Sequence, residues 1–396
     1  MVHQTGRQIE VAYKVESAYG TLAGASGAKV FRPNSGNLSM SIEPIGSNEN
    51  RRDGMKTRGR HGTRNVTGQY TGDLSVGSYD DWIEAVFRGT FSTALELDEG
   101  DFTSITTTAN TIVLASGSPI SLGLRVGDII RLSDHATAAN NDRNLRITAL
   151  DSTTITVAET ITLNNTPDTD VTITRPKKVI QGITSRSFTV EEREIDIDSS
   201  EVFTGVRVGQ MQLQMQPNGM ATLSFSLVGQ DMQVKSGADS PYFTTPSETT
   251  TIGLTSVEAK IRIGSEDVVD ITSLDLTLNL NAAGQPVVGS NLTPDVFTNL
   301  ADVQGSITAL KRDAARTQQY LDEDGLSLYL LFEEKVESGT PGFCAFCIPN
   351  LTLASATKSD LGTDGARTQS FSLLVGKDMR GGAYDPTMLT FQTSAA

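Results

Sequence analysis

The segment SFSLVGQDM (Ser224 to Met232) returns almost unchanged as SFSLLVGKDM (Ser370 to Met379). Self-similarity over such a distance marks repeated structural units, and it constrains the fold more than composition does. Four further blocks precede this pair in the same order. NLSMSIE (Asn37 to Glu43) matches DLTLNLN (Asp275 to Asn281). NVTGQYTG (Asn65 to Gly72) matches DVQGSITA (Asp302 to Ala309), which sets Val66 beside Val303, Gly68 beside Gly305 and Tyr70 beside Ile307. These early blocks lie roughly 237 positions apart, whereas SFTVEER (Ser187 to Arg193) and YLLFEEK (Tyr329 to Lys335) lie only about 142 apart. FTGVRVGQMQL (Phe203 to Leu213) then matches FCAFCIPNLTL (Phe343 to Leu353). The change of offset means that roughly 95 extra residues sit inside the first copy.

Each copy has β character. Leu38, Met40 and Ile42 alternate with polar residues, as do Leu276, Leu278 and Leu280, a period of two that buries one face of a strand. One helix per half is predicted, SYDDWIEAVFRG (Ser78 to Gly89) and RDAARTQQYLDEDG (Arg312 to Gly325), with Ser78 as N-cap and a glycine as stop. Trp82, Ile83, Val86 and Phe87 fall at helical spacing and form the stripe that packs on a sheet. The extra segment has its own strand rhythm in NTIVLAS, VGDIIRLS and NLRITALDSTTITVAET, which reads as a small β-barrel or sandwich inserted at an exposed loop. The expected organisation is an N-terminal arm (1–35), a first domain (36–90 plus 179–240), the inserted β domain (91–178), a second domain (250–380) and a C-terminal arm (381–396).

Chemistry is sparse. The only histidines are His3, His61 and His135, and no nucleophile elbow accompanies them, so catalysis is not expected. Cys344 and Cys347 have the C-x-x-C spacing, but three positions along a strand point to opposite faces, so the pair reads as packed core and not as a metal or redox site. No cofactor is expected. The net charge of −15 argues against a surface that grips nucleic acid throughout. One run is basic, with Arg51, Arg52, Lys56, Arg58, Arg60 and Arg64; lacking aromatics, it reads as a contact loop that meets an acidic neighbouring subunit or ring. EEREIDIDSSE places Asp196 and Asp198 on one strand face and reads as a solvated acidic surface. No apolar run approaches a membrane span and the N-terminus lacks a signal-peptide core, so a soluble, unexported chain with no membrane partner is expected.

GNLSMSIEP, the basic loop, NVTGQYTGDLS with its SYDDWIEAVF helix and the closing FSLVGQDM resemble the tail tube proteins of long-tailed, non-contractile phages, the siphovirus tail tube family. The resemblance extends over both copies. It implies a mainly β fold of two tandem tail-tube-like domains, each two packed antiparallel sheets plus one helix. It also implies a structural, non-enzymatic virion protein, made in the host cytoplasm, whose rings stack into the conduit for DNA delivery. Six tube domains close such a ring, so a chain with two domains implies homotrimeric, pseudo-hexameric rings. The implied partners are further copies of the chain, the tape measure protein and DNA in the lumen, and the tail completion and distal tail proteins. Glu192, Asp196 and Asp198, on the alternating stretch Glu191 to Asp198, and the strand Asp275 to Asn281 are then candidates for an acidic lumen, and the inserted domain belongs on the outside. The competing readings are a distal tail or tube-terminating ring protein and a bacterial surface β-adhesin or carbohydrate-binding protein.

Overall fold

Alternating apolar and polar side chains give each strand one face to bury, and the chain buries those faces by stacking sheets. The computed structural model describes residues 3–337, 339–362 and 365–395, and the fold is mainly β. The outermost residues of the two expected arms, 1–2 and 396, lie outside the described residues. The first half contains β1 (Ile9–Val15), β2 (Lys29–Phe31), β3 (Ser35–Ile45), β4 (Arg60–Asp73), helix α1 (Asp80–Phe87), β5 (Lys178–Ile180), β6 (Phe188–Glu194), β7 (Ser199–Met215), β8 (Thr222–Gly229) and β9 (Asp231–Ser236). One sheet runs β2-β1-β6-β7-β9, and a second runs β3-β4-β8-β7.

Strand β7 serves both sheets. Its residues 199–203 and Val206 pair with β6, residues 199–204 pair with β9, and its residues from Arg207 onward pair with β8. The crossover occurs where Thr204 and Gly205 together face Thr189, a bulge that bends the strand. Gly205 has φ +65°, and a Cβ there would stand 2.8 Å from the Cβ of Gln230, so only glycine fits without strain.

The second half contains β10 (Lys260–Ile263), β11 (Glu266–Val268), β12 (Ile271–Asn279), β13 (Asp302–Leu310), α2 (Ala315–Leu321), β14 (Leu326–Glu333), β15 (Phe343–Lys358), β16 (Thr368–Val375) and β17 (Thr390–Thr393). Its neighbours follow the order of the first half, with β12-β13-β16-β15 in one sheet and β11-β10-β14-β15-β17 in the other. Leu38 faces Gly68 and Leu276 faces Gly305, while Tyr70 faces Phe225 and Ile307 faces Phe371. β7 and β15 each carry a single-residue bulge, at Gly209 and at Ala354, 145 positions apart. The sequence match had set Phe203 beside Phe343, 140 apart, and this is corrected: an odd slip puts every side chain on the wrong face, but short apolar strands score alike in either register.

Neither terminus is an arm. Tyr13 and Phe31 are buried, and β1 pairs with β6 along its full length, so the N-terminal residues complete a sheet and its core. At the other end β17 lies between β5 and β15 with Phe391 buried, tying the two halves together.

Helix α1 is held by aromatic packing. Trp82 is fully buried, stacked on Phe188 at 5.5 Å and edge-on to Tyr13 at 5.2 Å. The N-cap is Tyr79 and not Ser78, whose hydroxyl bonds Ser75 and Thr249 instead; Arg88 in the left-handed region ends the helix, ahead of Gly89. Helix α2 is shorter than predicted and buries none of its residues.

Residues 95–175 form an eight-stranded antiparallel sheet around a separate core that includes Leu97, Phe102, Ile112, Ile130, Ile147 and Ile173. Although this unit interrupts the first half in sequence, it docks on the second. Gln392 bonds both backbone groups of Ile129 at 2.8 Å, Arg146 spans Glu159 and Asp267, and Asn144 donates to Glu333. Ile129 packs with Leu331, Phe343 and Ala345. At its root, Lys178 bridges Asp128 at 2.6 Å and Asp385 at 2.7 Å, although burial still pushes the Asp128 carboxyl upward. No helix among the described residues is long and apolar enough to cross a membrane.

Candidate functional site

The two halves meet through backbone hydrogen bonds. From Gln210 opposite Asn279 to Met215 opposite Leu274, the second part of β7 pairs with β12. A single sheet therefore runs β3-β4-β8-β7-β12-β13-β16-β15 through both halves.

Facing residues on neighbouring strands share a face, so the register assigns each surface. The inner face is apolar: Leu223, Leu213, Leu276, Gly305, Leu373 and Leu353 form one row across it. The other face carries mainly hydroxyls and amides, with Asp73, Asp275 and Asp302 among them and Leu374 exposed opposite Gln304. One row reads Asn37, Gln69, Ser226, Gln210, Asn279, Asp302, and another reads Asp73, Thr222, Gln214, Asp275, Ser306, Ser372. The carboxylates are spaced and held: Asp275 accepts from Gln212 at 2.6 Å and from Gln214 at 3.0 Å. Arg207, at the margin of this face, is tied to Asp295 at 2.9 Å and lies over the Tyr19 ring, so its charge does not stand free.

The sheet ends in two open edges. Among the described residues, β3 pairs with no strand but β4, and the part of β15 beyond Leu351 pairs with no strand but β16. Unpaired edges of this length are templates for another strand.

The predicted site residues fall in several places. Arg51, Arg52, Lys56 and Arg58 project from the exposed connection between β3 and β4, and Arg60 opens β4. Among the described residues Arg51 pairs with Asp53 of the same turn, at 3.3 Å. Arg64 is not in the loop: it sits within β4 and binds Asp231 at 2.7 Å. Asp196 and Asp198 are corrected from strand to turn, because the chain reverses between β6 and β7 and Asp198 takes φ +52°. Asp196 accepts from the Thr5 N–H. Glu192 is also corrected. Its carboxylate turns between the two sheets, where it accepts the Leu38 N–H at 2.7 Å and the Tyr70 hydroxyl. Burial, the largest cause, pushes its pKa up, and the Tyr70 phenol is pushed up with it. None of these three carboxylates belongs to the eight-stranded polar face. Of the residues that do, those of the strand Asp275 to Asn281 were among the expected candidates, whereas Gln210, Gln212 and Gln214 of β7 were missed, though the signal was present as polar residues at every second position.

Cys344 and Cys347 are fully packed, and burial holds both thiols well above their ordinary range. His135 is buried, accepts the Thr137 N–H at Nδ1 and lies 3.8 Å from Asp168. Among the described residues no group of three or more His, Cys, Asp or Glu could hold a metal ion.

Compared with known proteins, the chain matches the family model described as phage tail tube protein over residues 6–383. No curated protein matches it.

Proposed function

Because the chain belongs to the phage tail tube protein family, with the structural role and virion location this carries, we propose that it polymerises into stacked rings that form the DNA conduit of a long, non-contractile tail. The observation that carries this reading is the single sheet crossing both halves, polar on one face and open at both edges. Joining such edges in a circle removes them and builds a barrel lined by the polar face. With two tube domains per chain, supported by the shared strand order and bulge positions, three chains close one pseudo-hexameric ring of roughly twenty-four strands.

The lining suits passage of a polyanion. Hydroxyl and amide side chains offer no fixed cation to hold a phosphate, and the held carboxylates repel it. The tape measure protein would occupy this lumen before DNA, with tail completion and distal tail proteins capping the stack. The inserted domain rests on β14, β15 and β17 of the opposite sheet, which supports a position on the outside of the tube. The β3–β4 loop, with Arg51, Arg52, Lys56 and Arg58, is free to meet an acidic surface of the next ring.

Electron microscopy of the purified chain tests the reading. Tubes of uniform bore with three chains per ring are expected; six chains per ring, or a protein that never forms more than one ring, would overturn it.

A further inference from the structure

The junction inside the chain is a template for the junction between chains. β7 and β15 carry their bulges 145 positions apart, and the Leu38–Gly68 and Leu276–Gly305 pairs set β3 and β12 at 238 apart. Carrying the internal pairs Gln210–Asn279, Met211–Leu278, Gln212–Thr277 and Leu213–Leu276 across by these offsets yields Ser355–Ser41, Ala356–Met40, Thr357–Ser39 and Lys358–Leu38. All eight residues lie on the two open edges.

Burial agrees with this correspondence. Met211 and Leu278 are fully buried at the internal junction, whereas Ala356 and Met40 are only half-buried against the same core. The last pair is more telling. At the internal junction Leu213 faces Leu276, and Leu330 is buried in the same extended core. The position of Leu330 in the first half is Glu192, because Leu330 faces Phe346 and Glu192 faces Glu201, again 145 apart. The positions of these three buried leucines thus correspond to Lys358, Leu38 and Glu192. Glu192 is bound to the Leu38 N–H and makes no ion pair among the described residues; Lys358 is exposed, also without one. An inward carboxylate without a cation costs stability, and a lysine placed opposite relieves it.

We infer, building on the ring reading above, that β3 of one copy pairs with residues 355–358 of a second copy in the register of the internal β7–β12 junction, and that the Lys358 ammonium donates to the Glu192 carboxylate across it. The two joints differ on their inner face: the internal one sets Leu213 against Leu276 and closes during folding, while the external one sets Lys358 beside Glu192 and closes only when two chains meet.

Paired cysteines read the register directly. Ser39→Cys with Thr357→Cys sets two sulfurs opposite one another, and directly opposed Cα atoms about 4.5–5.5 Å apart can be bridged. Native Cys344 and Cys347 are buried and do not compete. Assembled tubes of this variant should oxidise to covalent trimers on a non-reducing gel, and those of Ser41→Cys with Thr357→Cys, displaced by two residues, should not. Tubes in which only the displaced pair links, or neither, would overturn the inference and leave the ring reading standing. Failure of the unaltered protein to form any ring would overturn the ring reading itself. Lys358→Glu should raise the concentration needed for assembly about tenfold or more without changing the melting of the isolated chain, whereas Lys358→Arg should assemble normally. Normal assembly of Lys358→Glu would remove the Lys358–Glu192 contact from the account.

Discussion

Glu192 illustrates how one buried carboxylate sets a pH response. Desolvation raises its pKa, helped by the nearby charges of Glu201 and Glu194. The folded chain therefore takes up this proton more readily than the unfolded chain, and the stability Glu192 contributes is full below the ordinary glutamate range, near about 4.3, and lost as pH rises through the raised value. In the isolated chain, urea midpoints of the native protein should fall relative to Glu192→Gln as pH rises through that window; parallel curves would show that the carboxylate stays solvated. Trp82 governs a larger effect. It touches Tyr13, Phe31, Phe188 and Phe225, so Trp82→Ala should cost about 3–5 kcal/mol in denaturant unfolding. The core role of Trp82 was legible from its helical spacing. The burial of Glu192 was not, because the groups that hold it, Tyr70 and Leu38, come from strands more than a hundred residues away.

At the level of elements, the bent strand and the tucked termini decide the architecture. Gly205→Val should destabilise the chain by at least about 1–3 kcal/mol, since a β-branched side chain is poorly tolerated at φ +65° and the space beside it is filled. Deleting the chain from residue 387 onward removes β17, exposes the face covered by Phe391 and frees the Gln392 contact to Ile129, so it should loosen the inserted domain as well as the second half. Faster proteolysis within residues 95–175 would report that loosening, and unchanged cleavage there would show that the docking depends on Arg146 and Asn144 alone. These effects were hard to foresee because the C-terminal segment is poor in period-two pattern; only its partner strands β5 and β15 make Thr390–Thr393 a strand.

For the whole molecule, the prediction concerns the polar face. If it lines the tube, Gln210→Arg adds about six cations per two rings, one for each chain, to a face whose neighbouring residues Ser226 and Asn279 are neutral. Tubes of this variant should retain DNA at low salt and release it as salt rises, while native tubes retain none. The same substitution should leave the isolated chain's stability within about 0.5 kcal/mol, because the residue is not part of the core. Retention of DNA by native tubes would remove the low-friction account of the lining.

Strand alternation, the recurrence of its closing segment and the glycines at Gly68 and Gly305 are local properties, and they determined by themselves that the chain is mainly β and that its two halves share a strand order. What only the tertiary structure decided is which face each later strand presents, which carboxylates are buried, and where the inserted unit and both termini rest. The physical reason is phase. A period of two assigns a face only until a bulge such as Gly209 or Ala354 reverses it, and a bulge is defined by the partner strand and not by the residues that form it.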